Sequence, residues 1–411
     1  MILSRAFRGQ QSMKRVVITG IGITSGIGNE INTFTRNLKE MKSGISKVET
    51  FDTSKYRLDI ASNVKGLSKF LKPSERRLPR PVQFALNATR NALLMSGVQD
   101  FIPSTKIGCF VSGAGCEVFE SEAYYRKYLA GEYETLNASS IYSLHWDNLV
   151  SEISRRFNLC GPRNTVLTAC SSSGIAIGLG HDLIKIGEMD AMVVGGSDGY
   201  SEFTYSGFQA LNSASNQPCR PFDKDRDGLT FGEGSGILIL ENYELAKKRG
   251  ANILAEIVGY GAIGEGYHLT APHPEGIGYK KCISMALNMA KIDASKISHI
   301  NSHGTATPLN DVIESESIRT IFKHDKKLLV NSIKSLVGHC MGAAGAVEAV
   351  NCVLNLMYQF VPGTCNLKKI DPNISINIRS VTSDVKLEYI LSNSAGFGGN
   401  NSSILLKKFV A

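Results

Sequence analysis

Asn164-Thr-Val-Leu-Thr-Ala-Cys170-Ser-Ser-Ser-Gly174-Ile-Ala-Ile-Gly178 is the stretch on which the fold turns. Its β-branched, apolar run through Val166 and Leu167 predicts a buried strand that ends at the cysteine. The small residues Ser171 to Gly174 then open an apolar-periodic segment, which predicts a helix to about Lys185. A thiol at that junction faces helical N–H groups without partners, and the helix dipole favours negative charge there. Such a placement lowers a thiol pKa and exposes a nucleophile. Cysteine also serves as a small buried hydrophobe, which is the reading for most of the nine cysteines.

Working outward, Ala191-Met-Val-Val-Gly-Gly196 predicts the next strand, and strand–helix–strand makes a sheet that is at least partly parallel. Gly195-Gly-Ser197-Asp-Gly199 matches the G-x-S-x-G nucleophile elbow, which needs a helix directly after the serine. The aromatic, turn-rich Tyr200–Gly207 does not supply one, so Ser197 reads as a decoy. Towards the N-terminus, Arg15–Gly20 predicts a strand. The glycines Gly20, Gly22, Gly26 and Gly28 miss the dinucleotide fingerprint because Ser25 stands where it needs glycine. Helices are expected at Glu30–Met41 and Pro81–Ser96, with a strand at Lys106–Ser112.

The chain has 411 residues, 43% apolar and 20% charged, the balance of a globular protein with two domains or two fused halves. No apolar run approaches the ~20 residues of a membrane span. Nine cysteines without a C-x-x-C pair argue for a reducing compartment and against a disulfide framework or zinc site. Met1–Ser12 reads as a short extension ahead of Met13 rather than a transit peptide. The net charge of +8 is concentrated at Lys65, Lys69, Lys72, Arg76, Arg77 and Arg80, and again at Arg126 and Lys127. These patches suit either a solvated face or docking of an acidic partner. Without interleaved aromatics they do not suit a nucleic acid.

In the second half, strands are expected at Ile253–Gly259, Ile297–Asn301 and Lys327–Ser332. Helices are expected at Tyr279–Lys291 and Gly342–Leu356, and a last strand pair, Tyr389–Asn393 and Ser402–Lys408, flanks a glycine turn. Polar groups sit where strands end: His303 in Asn301-Ser-His-Gly-Thr305-Ala-Thr307, and Lys334 and His339 in Asn331-Ser-Ile-Lys-Ser-Leu-Val-Gly-His339. Phe397 lies in Asn393-Ser-Ala-Gly-Phe-Gly-Gly-Asn400. Ligands bind beyond the carboxyl ends of strands in α/β sheets, so these loops can converge. His299 and His303 do not make a metal pair, because residues four apart on a strand stand about 13 Å from each other.

Taken together these segments resemble the elongating β-ketoacyl-acyl carrier protein synthases. The resemblance includes Cys219-Arg-Pro-Phe-Asp223, Asp225-Arg-Asp-Gly228 and Tyr267-His-Leu-Thr270-Ala-Pro, and spans nearly the whole chain. It implies an α/β, thiolase-like fold, two similar α/β halves in a five-layered α-β-α-β-α sandwich, normally dimeric. The expected division is an N-terminal extension (1–13), a half bearing the nucleophile (14–257) and a half bearing the histidines and lysine (258–411).

The resemblance also implies roles. Cys170 would carry the acyl chain, with its own N–H and that of Phe397 forming the oxyanion hole. His303 and His339 would hydrogen-bond the malonyl thioester, supported by Lys334 and its charge partner Glu348. Thr270, Thr305 and Thr307 would hold the phosphopantetheine arm, Phe208 and Phe397 would shape the acyl pocket, and Phe397 would gate it. Lys65, Lys69, Arg126 and Lys127 would dock the acyl carrier protein. Substrates would arrive on that carrier without a further cofactor or metal, in the cytoplasm. The partner subunit would be an identical chain or a chain-length-factor-like one. Two histidines mark the decarboxylating type, and the cysteine separates the chain from non-catalytic partner subunits. A hydrolase using Ser197 or Cys170 is the alternative chemistry. Departures at Arg77–Gln83, Ser112–Asp147 and Ser171–Ser173 leave acyl length and pathway open.

Overall fold

The computed structural model describes residues 13–113, 118–136, 145, 147–323 and 327–410. The extension Met1–Ser12 lies outside the described residues, as does part of the atypical Ser112–Asp147 region. Ten strands form one hydrogen-bonded sheet: β1 (Val16–Ser25), β2 (Ile107–Ser112), β3 (Arg163–Asn164), β4 (Ala191–Asp198), β5 (Gly234–Asn242), β6 (Ala255–Gly264), β7 (Ile297–Asn301), β8 (Leu329–Asn331), β9 (Tyr389–Gly396) and β10 (Asn400–Lys408). Their order is β8-β7-β9-β10-β6-β1-β5-β4-β2-β3.

That order contains a repeat. Read outward from the centre, each half runs first, fifth, fourth, second, third strand. In both halves the first two pairings are antiparallel and the last two parallel. The halves join where Val16–Ile18 pairs antiparallel with Ala255–Ile257. The expected division after residue 257 thus falls inside β6.

Helices complete five layers. Helices α1 (Arg80–Ser96) and α2 (Asn148–Arg156) cover one outer face, and α5 (Ile277–Ala290) and α6 (Pro308–Phe322) the other. Between the two halves of the sheet lie α3 (Ser172–Lys185) and α7 (Ala344–Tyr358), each touching strands of both halves. Helix α4 (Glu202–Ala210) follows β4 where the sequence predicts only turns, because Ser201 Oγ caps it by accepting from Thr204 N at 3.1 Å. Strands covered on both faces read as continuous apolar runs, and β5 shows why. Ile237 and Ile239 point to the outer cluster with α1 and α2, while Leu238 and Leu240 point to the central one with α3 and α7.

Three local expectations fail for physical reasons. No strand leads into Cys170: β3 is two exposed residues, Leu167 is 42% exposed, and the chain reaches the cysteine through an irregular turn. Gly20 and Gly22 sit inside β1, which continues to Ser25 and pairs with β5, so they form no loop. Arg80 does not stand free in the basic stretch. Its guanidinium forks onto buried Glu233, 153 residues away. Ser197 lies within β4, fully buried, and donates to Pro81 O at 2.6 Å, so no elbow forms. Among the described residues no helix is long and apolar enough to cross a membrane.

The glycines of β1 let α1 sit directly on the strand: a β-carbon at Gly22 would lie 1.8 Å from Ala88 O. Gly22→Ala is therefore expected to lower stability by at least about 2 kcal/mol through overpacking. The urea midpoint of the purified variant reads this, and an unchanged midpoint contradicts the seating of α1.

Candidate active site

Cys170 is held by a strained turn. Ala169 sits at φ +51°, a left-handed backbone uncommon outside glycine. Small hydroxyls build the turn: Ser171 Oγ donates to Thr168 O at 2.8 Å and Ser172 Oγ to Ala169 O at 2.6 Å. Ser172 Oγ also accepts from Thr168 N at 2.8 Å. Gly396, at the end of β9, presses on the same turn, since a β-carbon there would stand 3.0 Å from Cys170 N. The thiol is 7% exposed, and burial pushes it up to about 12 while the Lys334 ammonium pulls the other way. The expectation of a lowered thiol pKa is thus reversed. The helix begins only at Ser172, and loss of water outweighs its terminus.

The two histidines come from different strand ends and meet. His303 follows β7 and His339 precedes α7, and their rings stand 5.4 Å apart, edge to face at 83°. Burial, then the Lys334 charge, then His339, hold His303 well below the usual histidine range. Burial and Lys334 do the same to His339. Both rings are therefore neutral near pH 7. Lys334 Nζ faces His303 Nδ1 at 3.5 Å and donates to Glu348 on α7. The His339 backbone registers on another segment, with its N donating to Thr230 O at 2.8 Å and its O accepting from Gly232 N at 3.0 Å.

One cavity of about 300 Å³ gathers most of the expected residues. Cys170, His303, His339, Thr270, Thr305, Thr307, Phe208 and Phe397 all line it. The Phe208 and Phe397 rings stack at 5.2 Å and 16°. Thr305 and Thr307 hydroxyls are 2.9 Å apart. Lys334 and Glu348 lie outside the lining, against His303. The docking residues do not line it either. Lys65 pairs with Glu49 at 2.7 Å, Arg126 with Glu202 at 2.5 Å, Lys69 rests over the Phe70 ring at 4.8 Å, and Lys127 is exposed on the helix Val118–Leu129. His299 is not directed at a metal; its Nε2 meets Asn331 Oδ1 at 2.8 Å. Among the described residues no group of three or more His, Cys, Asp or Glu is placed for a metal ion.

Two acids escaped the sequence reading. Glu314 on α6 accepts from His303 N at 2.8 Å, Gly304 N at 2.9 Å and Asn393 Nδ2 at 3.2 Å, with burial pushing it up to about 7. Its signal was available: Asp311, Glu314, Ser315 and Ile318 share one helical face, which in this case is the buried one. Glu265 accepts from His273 N, Gly278 N and Asn401 Nδ2, and its own N donates to Gly399 O at 2.9 Å. It braces the glycine turn at Gly398 and Gly399 (φ +77° and +73°), while Gly398 N donates to Leu269 O at 2.7 Å.

Comparison with known proteins covers 97% of this chain. The model of the Beta-ketoacyl synthase N-terminal domain matches residues 13–246, and that of the C-terminal domain residues 254–368. The 3-oxoacyl-[acyl-carrier-protein] synthase 2 of Staphylococcus aureus (strain COL) is 35% identical, covering 97% of this chain and 99% of that protein. The synthase of the same name from Vibrio cholerae serotype O1 is 35% identical over 97% of this chain and all of its own. Among solved structures, the ishigamide ketosynthase/chain length factor superposes with a TM-score of 0.92 at 30% identity, covering 97% of this chain and 100% of that one. A type II polyketide acyl-carrier protein in complex with its ketosynthase gives 0.89 at 28% identity, with 97% and 100% covered.

A thiol raised to about 12 stays protonated across the working range. Alkylation of Cys170 by iodoacetamide is expected to quicken about tenfold per pH unit from pH 7 to 10, following the thiolate fraction. Mass spectrometry of the Cys170 peptide gives the rate. A plateau below pH 9 contradicts the dominance of burial.

Proposed function

This chain belongs to the β-ketoacyl synthase family, and on that premise we propose that it lengthens acyl chains by two carbons through decarboxylative Claisen condensation. Acyl-carrier protein and malonyl-carrier protein give 3-oxoacyl-carrier protein and carbon dioxide. The observation that carries this reading is a single cavity holding a nucleophilic sulfur and two neutral imidazoles.

In the first half-reaction the Cys170 sulfur attacks the acyl thioester carbonyl and the carrier thiol leaves with the proton. The backbone N–H groups of Cys170 and Phe397 receive the oxyanion. Because the thiol is a weak acid here, its proton departs during attack rather than before it. In the second, His303 and His339 donate hydrogen bonds to the malonyl thioester oxygen. The bond to the carboxylate breaks, carbon dioxide departs, and the bonding electrons form the enolate. The enolate carbon attacks the acyl carbonyl and expels the Cys170 sulfur, which takes a proton from water to regenerate the thiol. Neutral rings suit this task, since an imidazolium would hand its proton to the carbanion. The Lys334 ammonium facing Nδ1 of His303 favours the tautomer with its proton on Nε2.

Thr270, Thr305 and Thr307 hold the phosphopantetheine arm, and no other cofactor is invoked. Phe397, backed by Phe208 and hinged on glycines, separates the two half-reactions. The carrier protein is the partner, and the enzyme works in the cytoplasm as a homodimer or beside a chain-length-factor-like chain. The likeness to the ishigamide ketosynthase/chain length factor favours the second arrangement. Buried Ser197 speaks against a serine hydrolase, and Cys170 in the cavity speaks against a non-catalytic subunit.

Cys170→Gln is expected to abolish condensation yet still release carbon dioxide from malonyl-carrier protein. His303→Ala is expected to cut that release by at least about a hundredfold. Product analysis on the carrier measures both, and condensation by the first or undiminished release by the second removes that residue from the mechanism. Reversing charge at Lys65 and Lys69 should raise the carrier KM most at low salt, by a few-fold, because exposed charges steer association. A KM independent of both charge and salt makes the patch solvated surface.

A further inference from the structure

We propose that Arg80 and Glu233 form a positioning device for His339, and that Arg80 takes no part in docking. Glu233 is fully buried, while Arg80 opens α1 with its side chain 39% exposed. The guanidinium grips both carboxylate oxygens, and Glu233 Oε1 also accepts from Val64 N at 2.8 Å. A forked pair of this kind has one good geometry, and without the guanidinium the fully buried Glu233 carboxylate is left uncompensated.

What the pair fixes is a three-stranded clamp that ends at His339. Ser62 N donates to Phe231 O at 2.8 Å, and Glu233 N donates to Ser62 O at 3.2 Å. On its other side the same Thr230–Gly232 segment holds His339 by its amide and its carbonyl. The approach is close: a β-carbon on Gly338 would stand 2.4 Å from Phe231 O, and one on Gly232 would stand 2.2 Å from Val337 O. The middle segment therefore cannot shift without carrying the His339 backbone. Through Glu233, Arg80 sets where the middle segment lies. The Arg80 guanidinium also rests over the Phe84 ring at 5.3 Å, which holds its stem against α1.

The inference rests on the role proposed for His339, so the test uses two half-reactions. One is transfer of a short acyl group from carrier protein to Cys170. The other is release of carbon dioxide from malonyl-carrier protein. Both rates are taken per mole of protein recovered in the folded gel-filtration peak with a native circular-dichroism spectrum, so that unfolded protein does not count. Arg80→Met should slow carbon dioxide release about tenfold, the scale of a slightly misplaced catalytic group, with acyl transfer within about twofold and the carrier KM unchanged. Arg80→Lys keeps the charge and the fold but loses the fork, and should recover part of the rate.

Equal loss in both half-reactions, no loss in either, or a salt-sensitive rise in carrier KM with intact kcat overturns the proposal. His339→Ala serves as the control. Slow release by that variant beside normal release by Arg80→Met sinks the Arg80 inference alone. Normal release by His339→Ala sinks the role of His339, and the inference with it.

Discussion

The site depends on a close approach between the first turns of α3 and α7. Ala346 N donates to Ser173 Oγ at 3.0 Å, and a β-carbon on Gly345 would lie 3.1 Å from Gly174 N. Two helices that meet this tightly at their starts need glycine or small residues there, and both starts have them. Cys170 lies two residues ahead of one helix and His339 five residues ahead of the other. Their meeting in one cavity follows from backbone packing rather than from attraction between the groups. His303 reaches the same place from the end of β7, where Glu314 ties its loop from below.

Exclusion of water then decides the state of the sulfur, both rings and the acid beneath them. It holds both imidazoles neutral, keeps the thiol protonated and raises Glu314. The Lys334 ammonium sits beside Glu348, so its positive charge is balanced from α7 and faces His303. A buried pair of that kind adds little stability by itself, and breaking it leaves a charge without water. In the proposed mechanism this arrangement is electrostatic preparation, with donors that have no acidic protons to lose placed where an enolate oxygen would form.

Much of the fold was legible because strands buried on both faces leave continuous apolar runs, as Ile237–Leu240 and Ala191–Val194 do. The helix after Cys170 was legible to its last residue, Lys185. Other features were not, and the reasons are spatial. Val166 and Leu167 look like strand, but the turn at Ala169 twists Leu167 outward. The basic run from Lys65 to Arg80 reads as one surface, yet the partner that claims Arg80 is 153 residues away. Glu314 and Glu265 bind backbone N–H groups, and nothing in a side-chain pattern announces which amides will arrive. The two similar halves were expected from the family resemblance alone; the strand repeat itself consists of hydrogen-bond order and leaves residue identity free.

That repeat carries an implication for how such a catalyst is assembled. Each half offers the loop at its inner helix start for reactive groups, the two starts face each other across the shared layer, and the second half adds the loop after β7 that bears His303. One half holds the sulfur and the other holds the rings, so neither is a catalyst by itself. Division of labour between equivalent positions lets one site evolve its nucleophile and the other its hydrogen-bond donors almost independently. The shared obligations are to preserve the glycine-to-glycine contact between the two helices and the seat that Thr230–Gly232 gives the His339 backbone.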